Sequence, residues 1–275
     1  MRHLLSVLGL VLLPLAGCSS LDGPESRAAL QRGVDQPARN AEARARDAWR
    51  HPVETLQFFG FRPDMTVVEI WPGTGWYTEI LGPSLGDSGH LYAAHFPEAA
   101  ETPFQENVRA AYQDRLKSGA YGTRVTLTEF QPQSLLKIAP DASADLVVTF
   151  RNVHNWYMRG GPDAVADAFR QFHAALKPGG VLGVVEHRLP ETRSDAAMRA
   201  SGYMKQSFVV RQALAAGFVL EDSSEVNANP RDTADHPAGV WTLPPTLRLG
   251  EQDRDKYLAI GESDRMTLKF RKPKK

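Results

Sequence analysis

The sequence predicts an α/β domain on a doubly wound, mostly parallel sheet of about seven strands, one of them antiparallel. Three observations carry this. Continuous apolar runs recur between residues 66 and 187, as strands buried on both faces of a parallel sheet require. Helical periodicity fills the intervals between several of them. The chain then closes with a helix, a strand, a long insertion and a last strand, an order that suits a hairpin finishing the sheet.

Taken in order, the first stretch is MRHLLSVLGLVLLPLAGCSS. Arg2 and His3 make a basic start and residues 4–15 an apolar run, shorter than the about 20 residues of a membrane-spanning helix. Small residues follow, which is the pattern of a secretory signal. Leu15-Ala16-Gly17-Cys18 resembles the lipobox of bacterial lipoproteins, the alternatives being a plain signal peptide or an N-terminal helix. That resemblance implies a signal peptide over residues 1–17, a lipid on Cys18 and a membrane anchor through it. Ser19 resembles the signal for transfer to the outer membrane, which implies a periplasm-facing envelope protein. Residues 18–40 are polar and without sustained apolar period, and are expected to form a flexible tether. The domain is expected over residues 41–275.

Cys18 is the only cysteine, so the mature chain has no internal disulfide, CxxC site or second thiol nucleophile. The 32 basic and 32 acidic residues balance, which argues against a dedicated nucleic-acid binder. Residues 41–50 look helical, and Pro52 can open a second helix that Gly60 closes. The strand candidates are TVVEI (66–70), HLYAAHF (90–96), RVTLTEF (124–130), ADLVVTF (144–150) and VLGVVEH (181–187). Before the last of these, Val165, Phe169, Phe172 and Leu176 share one helical face, with Asp163 placed to cap its start and Gly179 its end. AGFVLEDSSEV (216–226) and DRMTLKFRK (264–272) are the closing strands, separated by a Pro-rich insertion over residues 227–250.

The stretch Glu69-Ile70-Trp71-Pro72-Gly73-Thr74-Gly75 lines up with the acidic-x-Gly-x-Gly-x-Gly turn of class I S-adenosylmethionine-dependent methyltransferases. The run from Asp145 to Phe150 resembles their fourth strand, Leu176-Lys177-Pro178-Gly179-Gly180 the turn before the fifth, and the AAGF at residues 215–218 the approach to the sixth. The ending DR-x-x-LKFRKP resembles an uncharacterised branch of predicted methyltransferases. The resemblance implies the Rossmann-like methyltransferase fold and S-adenosylmethionine as cofactor, bound by Glu69, Trp71, Gly73, Thr74, Gly75 and His95. A dinucleotide fingerprint fits less well, because Thr78 stands at its third glycine, and no Gly-Lys-Ser/Thr follows to make a phosphate loop.

Two residues depart from the family pattern. Trp71 replaces the first turn glycine, where it can fill the pocket or contact the cofactor. His95 replaces the carboxylate that bonds both ribose hydroxyls, and a neutral imidazole accepts only one hydrogen bond. Glu98 compensates only if its loop folds back.

The loops after the fourth and fifth strands fall on the same sheet edge as the turn. His154 is the candidate base, since its ordinary pKa suits proton removal near neutrality, with ordering of its own loop as the alternative role. Arg151 and Asn152 are candidates for orienting a small substrate. Glu186 and His187 are adjacent on a strand, so at most one enters the cleft. His95, His154, Glu186 and His187 lack the short spacing of a metal site, and no metal is expected. Two functions fit. One is methyl transfer to a small acceptor in the cell envelope; the other is a non-catalytic methyltransferase-fold lipoprotein whose cofactor site is degenerate or converted.

Overall fold

The computed structural model describes residues 23–275. The expected signal peptide, the lipidated Cys18 and the first tether residues lie outside that range. Strands β1 (Thr66–Ile70), β2 (His90–His95), β3 (Val125–Glu129), β4 (Ala144–Phe150) and β5 (Leu176–Leu189) are joined by β6 (Met204–Lys205), β7 (Val219–Ser224) and β8 (Arg265–Arg271). They form one sheet in the order β3-β2-β1-β4-β5-β8-β7, with the short β6 paired to β5. The pairs β1–β2, β1–β4, β2–β3 and β4–β5 are parallel, while β8 runs antiparallel to both β5 and β7. The single reversed strand is the one the closing hairpin was expected to supply.

Helices α1 (Pro24–Val34), α2 (Ala41–Ala45), α3 (Asp47–Arg50), α4 (Pro52–Phe58) and α5 (Thr78–Ser84) precede α6 (Pro103–Lys117) and α7 (Val153–Ala175). Three more, α8 (Asp195–Ser201), α9 (Gln206–Ala215) and α10 (Arg254–Ile260), complete the set among the described residues. The sheet's period of two divides its side chains between two cores. Val67, Leu146 and Val148 pack with Leu30, Leu56 and Ile80 of α1, α4 and α5. Val68, Val147 and Val184 pack on the other face with Phe169 and Phe172 of α7. No helix among the described residues is long and apolar enough to cross a membrane.

Two expectations are corrected. Residues 24–34, placed in the flexible tether, form α1, which packs on α5. Its buried face is Ser26, Ala29, Leu30 and Gly33, a true helical spacing written mostly in small residues. The approach is close, since a Cβ on Gly33 would lie 2.3 Å from Ser84 Oγ. Arg39, also in the expected tether, is 2 % exposed and pairs with Asp47 at 2.6 Å. The second correction concerns α7, which begins at Val153 rather than at Asp163. It kinks at Gly161 (φ 66°, ψ −159°), just before Pro162, whose ring and missing N–H interrupt the helical bonding that the sequence pattern resumes afterwards.

Candidate functional site

Strand order reverses between β1 and β4, and in open α/β sheets ligands bind at the carboxyl ends of strands beside such a switch point. The glycine turn falls there. Trp71 follows β1 in the left-handed region (φ 44°), a conformation that costs a side chain about 1–2 kcal/mol. Packing offsets this cost. The indole is 6 % exposed, lies 4.7 Å from the Phe96 ring and 5.8 Å from those of Phe130 and Trp156, and donates its N–H to the Phe130 carbonyl at 2.9 Å. Trp71 therefore fills the space beyond β2 and β3 with its own ring.

His95 is fully buried at the end of β2. Its Nδ1 accepts from the Phe96 N–H at 2.8 Å, which leaves Nε2 protonated and donating to the Gly73 carbonyl at 3.0 Å. Burial pulls the imidazole down to about 4, so it is neutral at physiological pH. Both nitrogens are used, and neither remains for a ribose hydroxyl. Glu98 is exposed, and its backbone N–H donates to Glu129 Oε1 at 2.8 Å. The turn is also held from within: Tyr121 Oη donates to the Thr74 carbonyl at 2.8 Å, and a Cβ on Gly75 (φ 87°) would lie 2.2 Å from that same hydroxyl. Of the two turn glycines, Gly73 is the one with open space around its Cα.

Glu69 is buried and accepts from Thr78 Oγ1 at 2.6 Å, tying β1 to α5. Burial pushes its carboxyl up to about 8. Asn152 donates its Nδ2–H groups to the Ile70 carbonyl at 2.8 Å and to Thr149 Oγ1 at 3.2 Å, so it ties β1 to β4. These two candidates act as fasteners between elements, and His95, at the family's ribose position, has no nitrogen left for a ribose hydroxyl. The residues present do not fit that cofactor in this conformation.

The start of α7, after β4, and the far end of β5 do converge. Glu186 accepts three N–H groups: the His154 backbone at 3.1 Å, His154 Nδ1 at 2.9 Å and the His187 backbone at 2.7 Å. His187 Nδ1 meets Ser263 Oγ at 2.6 Å. His154 and His187 line a cavity of about 280 Å³ together with Arg46, Arg50, Arg151 and Arg265, while Glu186 lies behind His154. Of the adjacent pair on β5, His187 thus faces the cleft. The cavity roof comes from the long insertion, with Trp241 and Pro244-Pro245. Donor atoms of His154, Glu186 and His187 lie within 4.8 Å of one another, but Glu186 already accepts three N–H groups and four arginines line the adjoining cavity. That setting disfavours a cation, and His95 does not join the group.

Sequence reasoning missed Arg46, Arg50, Glu262 and Arg265. They come from α2–α3 and from the start of β8, and only the fold brings them over β4 and β5. The Asp264-Arg265 pair inside the recognised chain ending was the one signal available.

No family model and no curated protein matches the chain. Solved structures do. A S-adenosylmethionine-dependent methyltransferase from Aquifex aeolicus is 15 % identical, with a TM-score of 0.53 over 90 % of this chain and 98 % of its own. A sarcosine dimethylglycine methyltransferase assignment from Galdieria sulphuraria gives 13 % and 0.58 over 85 % and 88 %, and the [4+2]-cyclase SpnF gives 17 % and 0.56 over 90 % and 93 %. The chain has the class I methyltransferase fold, and at these identities the likeness speaks for fold alone.

The Glu69 carboxyl sets a pH test. Its folded pKa lies above the unfolded value, so the folded state keeps a proton that the unfolded chain loses between about pH 4.5 and 8. Stability from this group is full below that window and is lost as pH rises through it. Glu69→Gln, which keeps an acceptor for Thr78, is expected to raise stability at pH 8 by on the order of 2–4 kcal/mol and to change little at pH 4.5. Urea melts at both values check this; equal effects at the two pH values would contradict a protonated Glu69.

Proposed function

We propose that this chain uses the methyltransferase fold without S-adenosylmethionine, and that its reactive centre is the arginine-lined cavity beside the old cofactor crevice. The observation that carries this is His95. The residue standing where the family places a ribose-binding carboxylate is spent on Phe96 N–H and on the Gly73 carbonyl. Trp71 supports the same reading by filling the neighbouring space.

In the cavity, Glu186 fixes the His154 ring through Nδ1 and leaves Nε2 as the basic nitrogen of a lining residue. A carboxylate-oriented imidazole of this kind moves protons on a bound small molecule. Arg151 supplies a neighbouring positive group for a substrate oxygen. Asn152 is a positioning residue, holding the loop that presents Arg151 and His154. The similarity to a protein named as a cyclase is consistent with a methyltransferase fold carrying other chemistry.

Methyl transfer to a small acceptor is the second reading, favoured by the open space at Gly73. Calorimetry of the full-length protein with S-adenosylmethionine separates the two. We expect no binding at millimolar cofactor; micromolar binding would restore the methyltransferase reading.

The Leu15-Ala16-Gly17-Cys18 segment supports a lipid anchor on Cys18 and a periplasm-facing place at the outer membrane. An envelope location suits a protein independent of a cofactor made in the cytosol. Radiolabelled palmitate is expected on the wild-type chain and absent from Cys18→Ala; label that survives the substitution would refute the anchor.

A further inference from the structure

The reading of the arginine-lined cavity as the reactive centre leaves its ligand class open, and the charge balance of the cavity narrows it. Four guanidinium groups, those of Arg46, Arg50, Arg151 and Arg265, line a space of about 280 Å³. Arg50 and Arg265 are each only 2 % exposed. One carboxylate bonds three of them. Glu262, itself 2 % exposed, accepts from Arg46 Nε at 2.6 Å, from Arg50 Nε at 3.2 Å and from Arg265 Nη2. Burial opposes its ionisation, yet Arg265, Arg50, Arg46 and Arg151 together hold it well below the ordinary carboxylate range. The carboxylate is therefore charged and fully committed.

The remaining positive charge has no counterpart. Arg151 makes no side-chain hydrogen bond, and its Nη1 is buried without a partner, as is Nε of Arg265. Burial, and next the neighbouring Arg265, pull the Arg151 guanidinium down to about 10, so it stays protonated at neutral pH. His187 is pushed well below its ordinary pKa by burial and by the nearby His154 and arginines, and is neutral. Buried guanidinium N–H donors without acceptors are costly, and native structures fill such positions with a partner. Arg151 moreover holds the left-handed backbone conformation (φ 60°), which for a side chain this size persists only where the surroundings impose it. Val240, Trp241 and the two prolines add an apolar part to the lining.

We infer that this cavity binds a small dianionic molecule through its oxyanion group, a phosphate monoester or a dicarboxylate, with Arg151 as the residue that selects for it. Planar guanidinium forks match phosphate and carboxylate oxygens two at a time, and two negative charges offset most of the excess that four guanidinium groups and one carboxylate leave. The Trp241 face receives the carbon part of the ligand. The inference deepens the proposed function by naming the ligand class at the same centre, and it stands apart from whether the crevice takes S-adenosylmethionine.

The test is calorimetric titration of the full-length protein with inorganic phosphate and with succinate, choline serving as the cationic control. At least one dianion is expected to bind at millimolar concentration or below, and choline not at all. Phosphate alone assigns the phosphate monoester class, succinate alone the dicarboxylate class. Arg151→Gln is expected to weaken that binding at least about tenfold without lowering the unfolding temperature, because the side chain anchors nothing else. Arg151→Lys, which keeps the charge but loses the fork, is expected to fall between the two and covers the case in which the glutamine variant does not fold. Absence of binding by both dianions, or undiminished binding in both variants, would overturn the inference. A separate titration with S-adenosylmethionine that shows binding would sink the closed crevice while leaving the dianion result to stand.

Discussion

The arrangement of this protein turns on one turn residue held in a left-handed conformation. Trp71 closes β1 where a glycine would leave a gap, and it is kept there by the Phe130 carbonyl and by the rings of Phe96, Phe130 and Trp156. Each of those partners stands at the end of a different element, after β2, after β3 and in the first turns of α7. The cluster thus joins the carboxyl edge of the sheet into one apolar block. His95 extends the block by bonding the turn at Gly73, and Tyr121 bonds it again at Thr74. The end of β1 is thereby packed and hydrogen-bonded from inside.

The polar groups of the domain gather one strand pair away. Arg46 and Arg50 arrive from the short helices ahead of β1, Arg151 from the end of β4, and Arg265 from the start of β8, all around Glu262. This charge cluster holds the N-terminal helices down on the sheet and at the same time builds the cavity. Trp76 reinforces the contact, with Arg39 and Arg50 stacked on its ring and its N–H given to the Ala43 carbonyl. Structure and site therefore share one set of residues. Loss of Glu262 would leave buried guanidiniums facing one another, a far larger disturbance than loss of the Arg151 side chain, which makes no hydrogen bond.

The sheet was legible in the sequence because buried parallel strands are written as continuous apolar runs. TVVEI and ADLVVTF are β1 and β4 to the residue, and the reversed β8 followed from the closing hairpin pattern. Helix α1 was not legible, since a face of Ser26, Ala29 and Gly33 carries little hydrophobic signal even when close packing buries it. At the candidate site, sequence singled out positions but not their partners. His95 and Trp71 stood out as departures, His154 as a base and Arg151 as a candidate contact. What they bond depends on approaches between segments far apart in the chain, such as Trp71 with Phe130 or Arg50 with Glu262. A buried arginine also reads in sequence like an exposed one, so the cavity emerged only when the fold assembled it.

The bonding state of His95 decides the account most directly. Nitrogen-15 chemical shifts of its imidazole, followed from pH 7 downward in the full-length protein, report which nitrogen carries the proton and whether a ligand displaces it. A protonated Nε2 and a bare Nδ1 are expected, with neutrality maintained to about pH 4 and no change on addition of S-adenosylmethionine. An imidazole that titrates near pH 6.5, or whose Nε2 shift moves with the cofactor, would show the crevice open and contradict it.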